Sequence, residues 1–208
     1  MQQEKETYNK IIQAGREILN KKDYHEAVVE EIAQLAGVAK GTVFFYFKSK
    51  ENLFREIMLS LIDELKVMIE KIVNSQQHPL KKLKEIYDNF VEFQLNNMHL
   101  FLSLRKELSN AEPKICEVKE RLEEISRIIL PLVDEMSQRR LIKKFTLQDI
   151  DLEVVSSMVL MYASAVSSMV FFYKEKIQQI KEIFWNILLH GILNEDVSIE
   201  MLLFYKKF

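Results

Sequence analysis

Three lysines stand between Ile32 and Lys50, at positions 40, 48 and 50, with no acidic residue among them; Glu31 and Glu51 bracket the window. The same window holds two of the four glycines, Gly37 and Gly41, and the aromatic run Phe44, Phe45, Tyr46 and Phe47. Clustered ammonium groups attract phosphate, and small residues let a backbone approach a large partner closely. The whole chain carries a formal net charge of −2, so the positive field must be local. Other chemistry is poorly represented. His25, His78, His99 and His190 are scattered, without cysteine or carboxylate partners at metal-ligand spacing, and no glycine-rich loop is built to cradle phosphate. Cys116, the single cysteine, excludes an intrachain disulfide and suits a reducing cytoplasm. It is expected to be a small buried hydrophobe, with a redox sensor as the other reading. No catalytic group, metal or cofactor is expected, and the polar first ten residues contain no secretory signal.

The elements that must position these groups are short. From Val28 to Lys50 the chain reads VVEEIAQLAGVAKGTVFFYFKSK. An apolar-periodic run (Val29, Ile32, Ala33, Leu35, Ala36) ends at Gly37, and a second run extends from near Ala39 to near Phe47. Two short helices joined by a tight glycine turn predict a helix-turn-helix, whose second helix enters the major groove of DNA. Gly37 suits the turn because it reaches the left-handed conformation without a Cβ clash. Val38 should plug the seam between the helices, and Gly41 and Thr42 should let the second helix approach the bases. Val43 and Phe47 lie on one side and are assigned to packing. Phe44 and Phe45 are then contacts for sugars or thymine methyls, or else further packing residues. Ser49 is expected to cap a fourth helix and to place Lys50 in its first turn, a combination that attracts phosphate.

The ordered phrase EEIAQLAGVAKGTVFFYFKSKENLF, preceded by IIQAGREILNKKDY, resembles the N-terminal domain of the TetR family of bacterial transcriptional regulators over about residues 8 to 56. The resemblance implies a DNA-binding head at 1–48, with the helix-turn-helix at about 28–47, and a helical ligand-binding and dimerisation body at 49–208. It implies a homodimeric repressor that binds double-stranded DNA at a palindromic operator and is released by a small apolar or amphipathic inducer. The residues expected at the DNA are Lys40, Gly41, Thr42, Phe44, Phe45, Tyr46 and Lys50. The chain departs from the family pattern at three places. Asp23 stands where glycine is usual, so the turn needs an aspartate that tolerates positive φ. Val28 and Val29 replace the threonine that caps the second helix and bonds phosphate. Phe44 replaces a tyrosine whose hydroxyl bonds phosphate.

A length of 208 residues allows one or two domains, and 48% hydrophobic with 29% charged residues is the balance of an ordinary soluble protein. Four glycines and three prolines are too few for a β-rich fold with many turns. Periodicity predicts an all-α protein of about nine to ten helices: residues 4–21, the two short helices, and a fourth from Lys50 to about Asn74 and about 37 Å long. A fifth opens at His78-Pro79, a sixth spans Met98–Ser109, and a seventh opens at Pro113, with a kink or break near Arg127–Ile128 imposed by Pro131. An eighth follows a capping box at Thr146–Asp149, a ninth spans Ile177–Leu193, and a short tail covers Val197–Tyr205.

Tyr87, Phe90, Phe101, Met158 and Tyr162 either fill the core or line the apolar cavity that the resemblance implies. Arg105 is a conceivable partner for an acidic ligand, or simply exposed. The small residues Ala163, Ser164, Ser167 and Ser168, with Phe184, Ile187 and Gly191, make the expected dimer interface, a four-helix bundle. One rival is a membrane anchor, because residues 154–173 carry no formal charge over 20 positions. Five serines dilute that stretch, which favours a helix buried in a bundle and no membrane partner. The other rival is a helical enzyme or scaffold without DNA binding.

Overall fold

The computed structural model describes residues 2–109, 116–142, 161–166, 168–169 and 173–193. The protein is all-α. Among the described residues the only strand-like pairing is one isolated antiparallel bridge, Ile142 to Leu193. The helices are α1 (Gln2–Leu19), α2 (Val29–Ala36), α3 (Lys40–Phe47), α4 (Lys50–Val73), α5 (Pro79–Asn96), α6 (Met98–Ser109) and α7 (Cys116–Gln138). They are followed by α8 (helical residues 161–166 and 168–169) and α9 (Ile177–Ile192), the latter preceded by a 3-10 turn at Lys174–Lys176.

Local chemistry sets most of the helix ends. Gly37 closes α2 in the left-handed conformation, φ +68°, and its N–H points at the carbonyls of Ala33 and Gln34. Val38 N–H reaches back to the Ala33 carbonyl at 3.0 Å. Val28, at the start of α2, is extended and gives no side-chain cap, as a valine must. The Ser49 Oγ accepts the Asn52 N–H at 3.1 Å and caps α4. Pro79 opens α5, where a missing N–H costs nothing. α7 runs through Pro131 without the break that was one of the two outcomes expected near Arg127–Ile128. Asp23 does not take positive φ; among described non-glycine residues only Lys48 and Arg140 do. Asp23 instead opens a turn in which its carbonyl accepts the N–H groups of Glu26 and Ala27, both at 3.0 Å. A glycine is therefore not needed there.

Packing groups the chain into two compact units, Met1–Leu65 with Asn96–Leu122, and Lys66–Leu95 with Glu123–Phe208. In the first, Ile11, Ile12, Leu19, Ile32, Val43, Phe47, Leu53, Ile57 and Leu61 form the core beneath α2 and α3. Gly15 allows α1 to lie close to α4, since a Cβ there would come within 2.3 Å of the Ile57 Cδ1. Tyr8 on α1 donates its hydroxyl to Glu56 at 2.7 Å and packs its ring against Phe47 at 5.0 Å, tying α1 to both α4 and α3. Burial, with the bond to Glu56 and its charge, holds the Tyr8 phenol well above its usual range.

In the second unit Ile69, Ile72, Leu83, Ile86, Tyr87, Val91, Ile125, Ile129, Leu132 and Met136 are buried. Tyr87 donates to the Lys181 carbonyl at 2.9 Å and packs on Trp185 at 5.2 Å. Lys82, 8% exposed, donates its ammonium to the Val73 carbonyl at 2.8 Å, at the end of α4 where the helix dipole favours a cation. Among the described residues no helix is long and apolar enough to cross a membrane. The seventh-helix start at Pro113, the Thr146–Asp149 box, the 197–205 tail, Met158, Ser167 and the side chains of Arg105 and Cys116 lie outside what is described.

Candidate DNA interface

Helix α3 is eight residues long, and its burial pattern divides it cleanly. Val43 (1% exposed) and Phe47 (3%) face the core, while Lys40, Gly41, Phe44, Phe45 and Lys48 are exposed and Thr42 and Tyr46 are half-buried on the flanks. Positions 40, 44 and 48 are spaced by one helical turn, as are 41 and 45, so the open face is a stripe Lys-Phe-Lys beside a stripe Gly-Phe. Phe45 is 69% exposed and Phe44 37%. Both rings have an ammonium nearby: Lys40 Nζ lies 5.7 Å from the Phe44 centroid and Lys48 Nζ 5.2 Å from that of Phe45. Lys48 also donates to the Phe45 carbonyl at 2.8 Å and ends the helix at φ +65°, a backbone strain of about 1–2 kcal/mol for a side chain with a Cβ. Gly41 meets no protein atom within 4 Å of where a Cβ would stand. Nothing inside the fold demands that glycine, although alanine would favour the helix by about 1 kcal/mol. The missing side chain leaves room for something approaching from outside.

Lys50 does not project freely. Its ammonium lies 4.6 Å from the Tyr24 ring centroid and 3.5 Å from the His25 carbonyl, so the loop before α2 holds it beside the Ser49-capped start of α4. The two acids that open α2 are both neutralised: Glu30 pairs with Lys40, and Glu31 with Lys22 at 2.7 Å. Each carboxyl is held below its usual range, first by the lysine hydrogen bond. Lys48 and Glu30 were not among the residues expected at the DNA. Lys48 was legible as the third member of the 40, 44, 48 spacing; the Glu30–Lys40 pairing joins two helices and had no local signal.

The profile of the bacterial regulatory proteins of the TetR family matches residues 11–57, which span the end of α1, all of α2 and α3, and the start of α4. The fatty acid metabolism regulator protein of Bacillus subtilis (strain 168) is 28% identical over 138 residues, 64% of this chain and 68% of that protein. Over residues 11–57 the chain matches the TetR family. It is a DNA-binding transcriptional regulator. Two solved structures extend the likeness to the body of the fold. A candidate fatty acid metabolism regulator from Clostridium perfringens superposes with a TM-score of 0.68 at 24% identity, covering 89% of this chain and all (100%) of that one. The fatty acid degradation regulator FadR of Bacillus halodurans gives 0.67 at 20% identity, covering 85% and 93%.

The other residues singled out in the sequence lie in several environments. Tyr87 (0% exposed) and Phe90 (5%) are packed core, whereas Tyr162 is half-buried and stacks on Phe184 at 5.4 Å. Phe101 is half-buried and belongs to the other compact unit. A groove of about 340 Å³ is lined by Glu70, Val73, Asn74, Lys82, Ile128, Pro131, Leu132 and Glu135, none of them an expected ligand residue, and its charged walls do not suit an apolar ligand. Ala163 is 1% exposed, and the Ser164 Oγ accepts a hydrogen bond from the Gln94 Nε2 at 2.9 Å within the same chain. Ala163 is thus packed within the chain, while Ser164 is half-buried. Ser168 is half-buried and donates to the Ser164 carbonyl at 3.2 Å. The outward residues of α8 are Met161, Ala165 and Met169, one helical turn apart. On α9 they include Ile183, Ile187 and Gly191, while Phe184 is half-buried.

Proposed function

We propose that the chain is a ligand-released repressor that binds a palindromic operator as a homodimer, through a head at 1–48 and a body at 49–208, in the cytoplasm. The observation that carries the reading is the open face of α3, where two lysines flank two exposed rings and a glycine that nothing in the fold requires. Lys40, Gly41, Thr42, Phe44, Phe45, Tyr46, Lys48 and Lys50 are the proposed DNA contacts. Lysine contacts to phosphate set position and affinity, and the groove-facing residues set sequence. Dimerisation is supported by the outer stripes of α8 and α9: Met161 (71% exposed), Met169 (38%), Ile183 (56%) and Ile187 (54%) are large apolar side chains left open. On each helix these side chains share one face, and an exposed apolar row of this kind suits a second protein surface. Two such helices from each copy make a four-helix bundle.

The relatives named for fatty acid metabolism make an amphipathic acyl compound the first inducer to test. Binding in the body then shifts the population towards a head spacing that no longer fits two half-sites. The experiment is a gel shift and footprint on the promoter region beside the chain's own gene, repeated with increasing acyl compound. A protected inverted repeat released by the acyl compound is the expected result. A protein that binds all duplexes alike, or a footprint over a single half-site, overturns the reading.

A further inference from the structure

We propose that α3 recognises its operator through thymine methyl groups, with Phe44 and Phe45 as the specificity-determining residues. This rests on the DNA-binding reading above and adds what that surface reads. In the major groove, guanine is read by arginine or lysine, adenine by asparagine or glutamine, and cytosine by aspartate or glutamate, with serine and threonine less selective; thymine alone adds a methyl group. Helix α3, KGTVFFYF, contains no arginine, asparagine, glutamine, aspartate or glutamate. Its lysine at position 40 is engaged with Glu30, and Lys48, just past its end, donates to the Phe45 carbonyl. What α3 offers outward at its centre is two rings.

The rings are also held in place. The edge-to-face contact of Phe45 with Tyr46, centroids 5.5 Å apart at 86°, and the ammonium of Lys48 beside it restrict how Phe45 turns. Tyr46 in turn contacts Tyr8 on α1 at 6.3 Å, so Phe45 is backed by the fold rather than left as a loose surface side chain. Gly41, one helical turn before Phe45 and with nothing crowding its Cβ position, lets the helix sink far enough for the rings to reach base edges. Lys40 and Lys48 stand at the two ends of the same stripe, where phosphates on either side of the groove are the complementary partners.

The test uses the full chain and a pool of randomised double-stranded DNA. The enriched sequence is resynthesised with deoxyuridine in place of each thymidine, which removes the methyl and leaves base pairing unchanged. Enrichment of thymines in both half-sites is expected. Each removed methyl should weaken binding roughly fourfold, and a symmetric pair roughly 15-fold. Phe45→Ala should bind the thymine duplex more weakly and lose the difference between thymine and uracil, while Phe45→Leu, which keeps an apolar contact, should retain part of it. Circular dichroism checks the fold of both variants. Equal binding of thymine and uracil duplexes by the wild type, which would place the rings against sugars, overturns the proposal. So does a Phe45→Ala protein that still discriminates fully. If no duplex is bound at all, the DNA-binding reading itself fails, and this inference with it.

Discussion

The open face of α3 and the outer faces of α8 and α9 are both apolar and both exposed, yet their surroundings differ. Phe44 and Phe45 lie beside Lys40 and Lys48, each ring with an ammonium within 6 Å of its centroid. Met161, Ala165 and Met169 lie in a stretch, 161–169, without one formal charge, and from Ile183 to Leu193 the chain again carries none. An exposed ring flanked by cations suits a polyanion that also displays methyl groups. An exposed aliphatic stripe without charge suits a second protein surface of the same kind, where an ion would lose its water without a partner. The same physical fact, apolar area left open to water, thus points to two partners, and the neighbouring charges separate them.

The strongest way to break this contrast is to place a charge in the uncharged stripe. Ile187→Glu should leave the protomer folded, because Ile187 is 54% exposed. It should give a monomer and weaken operator binding by roughly a hundredfold or more, since one head pays the full entropy of association alone. Sedimentation and a gel shift on one sample check it; a dimer with normal operator affinity would remove α9 from the interface.

Next in size is Gly41→Ala. A methyl group on the open face should weaken operator binding roughly tenfold, of the order of losing one good base contact, while the thermal midpoint rises, because alanine favours the helix by about 1 kcal/mol. Unchanged affinity would show that α3 does not approach DNA along that stripe.

Lys50→Ala should act on all sequences alike. Loss of one phosphate contact lowers the salt slope by about one and costs roughly fivefold at 0.15 M salt. A slope that stays put would leave Lys50 as a support for Tyr24 alone.

The smallest effect is expected from Glu30→Gln. Releasing Lys40 from its carboxylate should raise affinity for random DNA about threefold and steepen the salt slope. Stability should barely change, because exposed ion pairs contribute little. A weaker, not stronger, binder would mean that Glu30 holds Lys40 in its working position.

What the sequence determined by itself about this protein is local. Gly37 in the left-handed turn, Ser49 capping α4 and Pro79 opening α5 all follow from sterics and hydrogen bonds within a few residues, and the helical period alone puts Val43 and Phe47 on one face. The all-α fold and the helix-turn-helix rest on such signals, and so did the absence of a side-chain cap at Val28. What only the tertiary structure decided are choices between partners far apart in the chain. Lys50 lies over Tyr24, 26 positions away in the sequence, and Lys40 finds Glu30 on another helix. Ser164 bonds Gln94, 70 residues earlier, and on the same helix Ala163 is buried while 161, 165 and 169 are exposed. A helical period tells which residues share a face, but not which face is covered; that is set by whichever element packs there, and no local interaction encodes it.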